Sequence, residues 1–418
     1  MRPIRSFVVT VGLSLMLTLS ASAIAQEQIT LRFPSWQWGQ PGYDEFFTAA
    51  IAEFEAAHPG VRIEKIPVAS ADYADSLTRM FAAGDPPEIL QYLSQLYYLA
   101  VEADWLEELD DRLATTDIQA TWAPYLWDAG NQYGHTFGIW VSGSPIALMY
   151  NRDMFEEAGV AVPTNKEEFL EAARALTVRD PDGTVTQFGF ALTTKMDNNA
   201  NIYGLKNFVI GLGGNWGTPA GEIDVMNPAN REAIELEKAL IDENLVPHGA
   251  DRVQARKIFW EGHAAMIIEG PWVMTSVRSE NPSLLPSIGV ALMPFPHQTA
   301  GTSNGFAIAR DAKHKDLAWE FLNMITSQEW MERYGELAGV TPARQGALTA
   351  AALGNGPWLQ VFADVESTGL NYFIPGFEAA QNEIDKGVID ALAEVFYGAK
   401  PVDSALAEIQ ALMERLRE

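Results

Sequence analysis

The sequence predicts an α/β protein built from two lobes, and three observations lead to that prediction. Segments with strand-like alternation are followed by segments with helical spacing from Ile29 onward. The alternation restarts after the stretch 133–140, which indicates a second unit of the same kind. About 393 residues remain after a predicted leader of 25 residues, more than a single hydrophobic core usually serves.

The first 25 residues are predicted to be a cleaved secretory signal peptide. Arg2 and Arg5 precede an apolar stretch over 7–19, and the segment 23–25 supplies the small residues that a signal peptidase recognises. We therefore expect a mature chain that starts near Gln26 and resides in the periplasm. The chain has no cysteine, so neither a lipid anchor nor a disulfide is expected.

Strand and helix candidates follow each other in both halves. In the first half, strands are predicted at 29–33, 61–68 and 88–93, with helices at 43–54 and 73–81 between them. This order predicts a largely parallel sheet. The later part is predicted to contain strands at 145–151, 264–268 and 288–296, a hairpin at 179–192, and helices at 152–158, 169–176, 316–325, 384–395 and 406–416.

Charge excludes two classes of partner. The formal net charge is −27, and both nucleic acid and anionic membranes require a basic face. Neither is expected as a partner. An anionic ligand is also disfavoured, although one local basic pocket could overrule the global field.

The sequence lacks the common catalytic and metal-binding motifs. It contains no thiol, no Gly-x-Ser-x-Gly and no phosphate-binding Gly-x-x-x-x-Gly-Lys. Its six histidines are scattered singly, and the calcium-like "DPDG" at 180–183 has Ala191 where a bidentate Glu is required. No metal or cofactor is expected. Paired carboxylates for glycoside hydrolysis are a spatial feature, so an enzyme of that kind stays open.

Aromatic and polar residues do gather at the ends of predicted strands. Open α/β sheets bind ligands at the carboxyl ends of their strands. An indole can cover the apolar face of a sugar, while amides and hydroxyls bond its hydroxyl groups. The residues concerned are Trp36, Gln37, Trp38, Tyr92, Gln95, Ser142 and Ser144.

Each of these residues also has a purely structural interpretation. Tyr92 taken alone fits a core residue better, and Ser142 and Ser144 fit a turn before Pro145. For Trp36 and Trp38 we favour ligand contact, because spacing of two sends both rings to one side and the following loop offers no evident core.

Several segments together resemble the periplasmic solute-binding proteins of carbohydrate ABC importers, the group that includes the maltose-binding protein. The resemblance covers essentially the whole mature chain and depends on an ordered set of segments rather than on one motif. These segments are "AEFEAAHPGVRIEKIPV", "FAAGDPPEIL", "YGHTFGIWVSGSPIALMYNRDMFEEAGVAVPTNKEEF", "FWEGHAAMIIEGPWV", "IGVALMPFP", "AWEFLNMITSQEWMERY" and "GVTPAR".

The resemblance implies the periplasmic-binding-protein fold, with a ligand cleft between two lobes that close by a hinge. Three crossings are expected, near 138–141, 287–293 and 339–344. The implied lobe 1 comprises 26–140 with 291–340, and lobe 2 comprises 141–290 with 341–418.

The resemblance also implies ligand-binding positions. Trp272 matches a sugar-stacking tryptophan of the family, and Tyr203 and Tyr92 fall at other aromatic positions. Asn201, Ser144 and Gln95 stand where the maltose-binding protein uses carboxylates, so maltodextrin is not the expected ligand. Further implied contacts are Asn304, Glu269, Arg344 and Tyr372, although Arg344 could instead pair with a carboxylate across the hinge, Asn304 could form a turn and Tyr372 could be packing.

Three functions follow as hypotheses. The first is a monomeric, non-catalytic receptor that captures a neutral mono- to trisaccharide or glycoside and delivers it to an ABC permease. The second uses the same scaffold for a non-sugar solute such as glycerol phosphate or a polyamine; Arg344 is the one cation expected in the binding loops, and Glu269 gives the polyamine weak support. The third is a glycoside-acting enzyme.

Overall fold

The structure is a computed structural model, and it describes residues 28–69, 72–92, 94–196, 200–378 and 380–417. The predicted signal peptide, residues 1–25, lies outside these residues. Within the described residues the chain folds into two α/β lobes, as predicted.

The first lobe combines most of the N-terminal third with a later return of the chain. Its strands are β1 (Ile29–Ser35), β2 (Val61–Pro67), β3 (Ile89–Tyr92), β4 (Asn131–Gln132), β5 (His135–Thr136), β6 (Ile139–Pro145) and β12 (Ala300–Ile308). Its helices are α1 (Tyr43–Ala57), α2 (Tyr73–Ala82), α3 (Ser94–Glu102), α4 (Asp110–Leu113), α5 (Ile118–Thr121), α6 (Pro124–Gly130), α13 (Lys315–Ile325) and α14 (Gln328–Ala338).

The second lobe contains the middle of the chain and its C-terminal helices. Its strands are β7 (Ala147–Asn151), β8 (Val178–Arg179), β9 (Val185–Ala191), β10 (Ala264–Glu269) and β11 (Ile288–Ala291). Its helices are α7 (Arg152–Ala158), α8 (Lys166–Ala175), α9 (Ala200–Gly211), α10 (Pro228–Asp242), α11 (Arg252–Trp260), α12 (Trp272–Glu280), a 3₁₀ helix (Pro282–Ser287), α16 (Leu359–Thr368), α17 (Gln381–Phe396) and α18 (Val402–Arg417). The short helix α15 (Ala350–Asn355) packs against α14 of the first lobe and leads into α16.

The strand directions correct the expectation of a largely parallel sheet. β1 pairs with β2 in parallel and β9 with β10 in parallel, as crossover helices require. By contrast, β12 runs antiparallel to both β3 and β6, and β7 runs antiparallel to β10 and β11. The chain enters β12 directly from the second lobe and not through a crossover helix. The preference for parallel strands in strand–helix–strand units therefore does not apply to β12.

Two separate hydrophobic cores show where the chain changes lobe. The first core extends from Leu31 to Val141 and resumes at Phe306, whereas the second core begins at Ile146. Met293 and Phe295 pack in the second core, and Ala343 and Ala347 pack in the first. The chain thus changes core three times, each time a few residues after a predicted crossing. The exact lobe bounds stay a prediction.

The first helix of the first lobe follows from local sequence. In α1 the residues Phe46, Phe47, Ala50, Ile51 and Phe54 repeat at helical spacing and are buried.

No helix in the described part of the chain has both the length and the apolar content needed to cross a bilayer.

Candidate ligand-binding cavity

A cavity of about 410 Å³ lies where the crossing strands β6 and β12 meet the second lobe. Its walls come from the end of β9, from helices α9 and α11, and from the junction of β10 with α12. Ser144 on β6 and Gly301, Thr302 and Ser303 on β12 also line it. This volume falls in the usual range of small-molecule sites. Because β6 and β12 form part of the wall, a ligand in the cavity would contact the strands that connect the lobes.

Glu269, the last residue of β10, accepts hydrogen bonds on both carboxylate oxygens. Arg252 donates through Nε at 2.7 Å and Nη2 at 3.1 Å, and Arg256 donates through Nε at 2.8 Å. The indole Nε1 of Trp272 donates at 3.0 Å and the backbone N–H of Gly270 at 3.1 Å. Burial would raise the pKa of Glu269, but the two guanidinium groups lower it to about 2. The carboxylate is therefore ionised, and both of its oxygens already accept hydrogen bonds from the protein.

Local sequence explains why two arginines meet this carboxylate. Asp251 caps α11 and forms a capping box with Gln254, which fixes where the helix starts. Arg252 and Arg256 are then four residues apart and share one helix face. That face lies beside β10, where the strand ends at Glu269.

The aromatic residues of the cavity are stacked with these arginines. The Arg252 guanidinium lies 4.9 Å from the ring centroid of Tyr203 and 5.8 Å from that of Trp272. Arg256 lies 5.6 Å from the Trp272 ring. Tyr203 also contacts Tyr372 edge-on, with centroids 5.9 Å apart. These cation–π contacts fix the orientation of the rings in the cavity wall.

A buried ion pair lies deeper in the cavity wall. Lys206 donates to Asp385 at 2.6 Å, and both side chains are almost fully buried. Burial lowers the pKa of Lys206, while the Asp385 charge opposes that shift. Next to it, the Tyr372 hydroxyl donates to Asn207 Oδ1 at 2.7 Å, and Thr299 donates to the same oxygen at 2.8 Å.

Five of the residues selected from sequence line the cavity together. They are Ser144, Tyr203, Glu269, Trp272 and Tyr372. Their contact with a ligand stays a prediction.

Three other selected residues form a buried network near the hinge instead. Gln91 Nε2 donates to Gln37 Oε1 at 2.6 Å and to Asn304 Oδ1 at 3.0 Å. Asn304 Nδ2 donates to the Tyr334 hydroxyl at 3.0 Å and to Ser142 Oγ at 3.3 Å. The network is outside the cavity lining, and its hydrogen bonds link β3, β6 and β12 of the first lobe.

The half-buried rings of Trp36 and Trp38 pack against the first core, which the sequence had not indicated, and their contact with a ligand stays a prediction. The chain turns at 36–39, so alternation no longer holds. The Trp38 indole folds back, donates to the Phe33 carbonyl at 3.1 Å and packs edge-on against the Phe33 ring. Trp36 packs edge-on against Tyr73 with centroids 4.8 Å apart. Neither ring lines the cavity.

Tyr92 and Arg344 lie in the first core. Tyr92 is fully buried at the end of β3. Arg344 donates from Nη1 and Nη2 to Asp117 at 2.9 and 2.7 Å and from Nε to the Thr326 carbonyl at 3.1 Å. Arg344 thus pairs with a carboxylate, but Asp117 lies inside the first lobe and not across the hinge as that alternative expected. The side chains of Gln95 and Asn201 lie outside the described part of the chain.

Sequence reasoning missed the cations of the cavity. Arg252, Arg256 and Lys206 all line it, so the expectation that Arg344 is the one cation of the binding loops is wrong. The available signal was the spacing of four between the arginines on a capped helix directly ahead of the strand that ends in Glu269.

Comparison with known proteins finds relatives that are described as binding proteins. A binding protein of Brucella abortus is 24% identical over 416 residues, covering 96% of this chain and 95% of that protein. The maltotriose-binding protein of Pyrococcus abyssi is 24% identical over 398 residues, covering 92% and 80%. The diacetylchitobiose binding protein of Streptomyces coelicolor is 24% identical over 347 residues, covering 79% and 77%.

Solved structures agree on the fold. The cyclic alpha-maltosyl-1,6-maltose binding protein of Arthrobacter globiformis superposes with a TM-score of 0.80 at 19% identity, covering 93% of this chain and 98% of that one. A Thermotoga lettingae ABC transporter solute binding protein bound with alpha-D-tagatose gives 0.76 at 22% identity, covering 93% and 99%. The family model described as bacterial extracellular solute-binding protein matches residues 38–332, and the chain belongs to that family.

Proposed function

We propose that this chain is the periplasmic receptor of a carbohydrate ABC importer. It binds a carbohydrate of one to three sugar units in the cavity and presents it, as a monomer, to the membrane permease. The observation that carries the proposal is a cavity in which the half-buried rings of Tyr203 and Trp272 stand beside hydrogen-bonding groups of the crossing strands. Relatives that are named for maltotriose and diacetylchitobiose support it.

The mechanism is closure of two lobes around the sugar. Ser144 and Ser303 lie on strands that join the lobes and also line the cavity. A ligand that bonds these strands stabilises one hinge angle over others, which shifts the population toward the closed form that a permease recognises. No bond is made or broken. Membership in a non-catalytic binding family confirms that the chain is not an enzyme.

The polyamine alternative loses its main support. An amine ligand needs an available carboxylate, but both oxygens of Glu269 already accept hydrogen bonds. Oε1 accepts from Arg252 and Arg256, and Oε2 accepts from Arg252 and Trp272. The anionic alternative gains support, because Arg252 and Arg256 supply the local basic pocket that the overall charge does not.

The test is isothermal titration calorimetry of the mature protein with sugars, glycerol phosphate and polyamines. The proposal requires saturable binding of a sugar, accompanied by a change in tryptophan fluorescence as the lobes close. Trp272→Phe should weaken that binding severalfold, because phenylalanine offers the sugar a smaller ring face and lacks the indole N–H that Trp272 donates to Glu269. Trp105→Phe is the matched control, since Trp105 is also half-buried but stacks on Phe81 in the first lobe. Binding of glycerol phosphate or spermidine alone would refute the carbohydrate assignment.

A further inference from the structure

The cavity carries more positive than negative charge, although the protein as a whole is strongly acidic. Among the described residues that line it, the cations are Arg252, Arg256 and Lys206, and the anion is Glu269. Asp385 neutralises Lys206 from behind the wall. Counted over the described lining residues, one positive charge is therefore left without a matching carboxylate, in a chain whose formal net charge is −27.

The uncompensated charge is located on the arginine pair. Arg252 and Arg256 share the one carboxylate of Glu269, which both reach through Nε. Within the part of the chain that the structure describes, Arg252 Nη1 and both Nη groups of Arg256 have no hydrogen-bond partner. Their side chains are 28% and 22% exposed, so a ligand in the cavity can reach these donors.

Burial makes this surplus of positive charge energetically costly. Burial lowers the pKa of Arg256, and the neighbouring Arg252 charge lowers it further, against the opposing effect of Glu269. A positive group with unbonded N–H donors in a poorly solvated site is stabilised by an anion that accepts those donors.

We infer that the sugar bound by this protein carries a carboxylate, which the Nη groups of Arg256 and Arg252 hold while Tyr203 and Trp272 contact the sugar ring. The inference builds on the proposed function and replaces the expectation of a neutral sugar. A uronic acid, alone or as the acidic unit of a short oligosaccharide, has the required chemistry.

Two features favour a carboxylate over a phosphate. A carboxylate presents two coplanar oxygens that match the fork of a guanidinium group. It also carries a single negative charge, equal to the surplus at the cavity, whereas a phosphate monoester carries about −1.5 to −2 at neutral pH. The second excess charge of a phosphate would have no partner among the described lining residues.

The experiment compares matched pairs of sugars that differ in the carboxylate. Calorimetric titrations use galacturonic acid against galactose, glucuronic acid against glucose, and digalacturonic acid against a neutral disaccharide. Glucose 6-phosphate and glycerol phosphate complete the set. We expect at least one acid to bind about ten- to hundredfold more tightly than its neutral partner, the usual effect of hydrogen bonds to a charged group.

Variants then assign the effect to the arginines. Arg256→Gln keeps Arg252 on Glu269 and removes the surplus charge, so it should weaken binding of the acid far more than binding of the neutral sugar and abolish most of the preference for the acid. Arg256→Lys, which keeps the charge but loses the fork, should fall between. Arg174→Gln is the control, since Arg174 forms an exposed pair with Glu243. Unchanged unfolding curves show that the variants are folded.

The outcomes separate the inference from the proposed function. Equal or tighter binding of the neutral sugars overturns the carboxylate inference and leaves the carbohydrate receptor intact. Binding of glycerol phosphate with no sugar bound refutes both, and a preference for glucose 6-phosphate over every acid overturns the inference in favour of a phosphorylated sugar. Acid preference that survives Arg256→Gln also overturns it.

Discussion

Tyr125 and Glu366 connect the two lobes directly. The Tyr125 hydroxyl, on α6 of the first lobe, donates to Glu366 Oε1 on α16 at 3.0 Å. The backbone N–H of Gly143, on the crossing strand β6, donates to the same oxygen at 2.8 Å. One buried carboxylate thus joins both lobes and a crossing strand, at the point where hinge motion has to occur.

The first prediction concerns the room at Gly143. A Cβ there would overlap the Tyr125 hydroxyl and Glu366 Oε1, so Gly143→Ala forces these two side chains or the crossing strand to shift. We expect it to lower the free energy of unfolding by roughly 1 to 3 kcal/mol, as overpacking usually does. Urea denaturation measures this. Gly354→Ala is the control, because a Cβ at Gly354 meets no atom within 4 Å. Equal stability of the two variants would contradict the tight contact.

The second prediction is a pH dependence that originates at Glu366. Burial raises its pKa to about 7, although the bonds from Gly143 and Tyr125 oppose the rise. The folded protein therefore keeps this proton to a higher pH than the unfolded chain does. Its contribution to stability falls as the pH rises from about 4.5 to about 7, by at most roughly 3 kcal/mol, and is level above that.

Glu366→Gln should remove this part of the pH profile, since the amide does not titrate but its oxygen can still accept from Gly143. The measurement is the unfolding free energy at a series of pH values between 4.5 and 8. Asp364→Asn, on the exposed side of the same helix, is expected to keep the wild-type profile. A slope that persists in Glu366→Gln would assign it to other groups.

The third prediction concerns Glu237, a carboxyl group buried in α10 of the second lobe. It is 0% exposed, and neither of its oxygens has a hydrogen-bond partner among the described residues. Burial raises its pKa to about 8. Glu237→Met should stabilise the protein at pH 8 by roughly 1 to 3 kcal/mol, because it removes an unsatisfied buried group. Thermal unfolding checks this against Glu235→Met on the same helix, which we expect to be close to neutral.

Local patterns predicted the elements better than their arrangement. The strands around Leu31 and Met266 and the helices around Phe54 and Val388 follow apolar spacing, which depends on nearby residues alone. Strand direction depends on where a distant segment enters the sheet. The antiparallel placement of β12 was therefore not predictable from its own residues.

The same distinction applies to the cavity. Trp272, Tyr203 and Glu269 were found through resemblance to a family, which carries three-dimensional information that spacing lacks. The arginines were missed because their meeting with Glu269 depends on α11 packing beside β10. The packing of Trp38 on Phe33 was not foreseen because the chain turns where alternation was assumed to continue.

The fourth prediction tests the position of Trp272. A Cβ on Gly270 would overlap the six-membered ring of Trp272, whose Nε1 donates to Glu269 at 3.0 Å. Gly270→Ala should displace the indole from this carboxylate, shift the tryptophan emission to longer wavelength and weaken sugar binding about tenfold or more, as loss of a stacking ring does. Fluorescence and calorimetry measure the two effects, with Gly354→Ala as control. If emission and affinity both stay at the wild-type values, the indole does not depend on Gly270 for its place in the cavity wall.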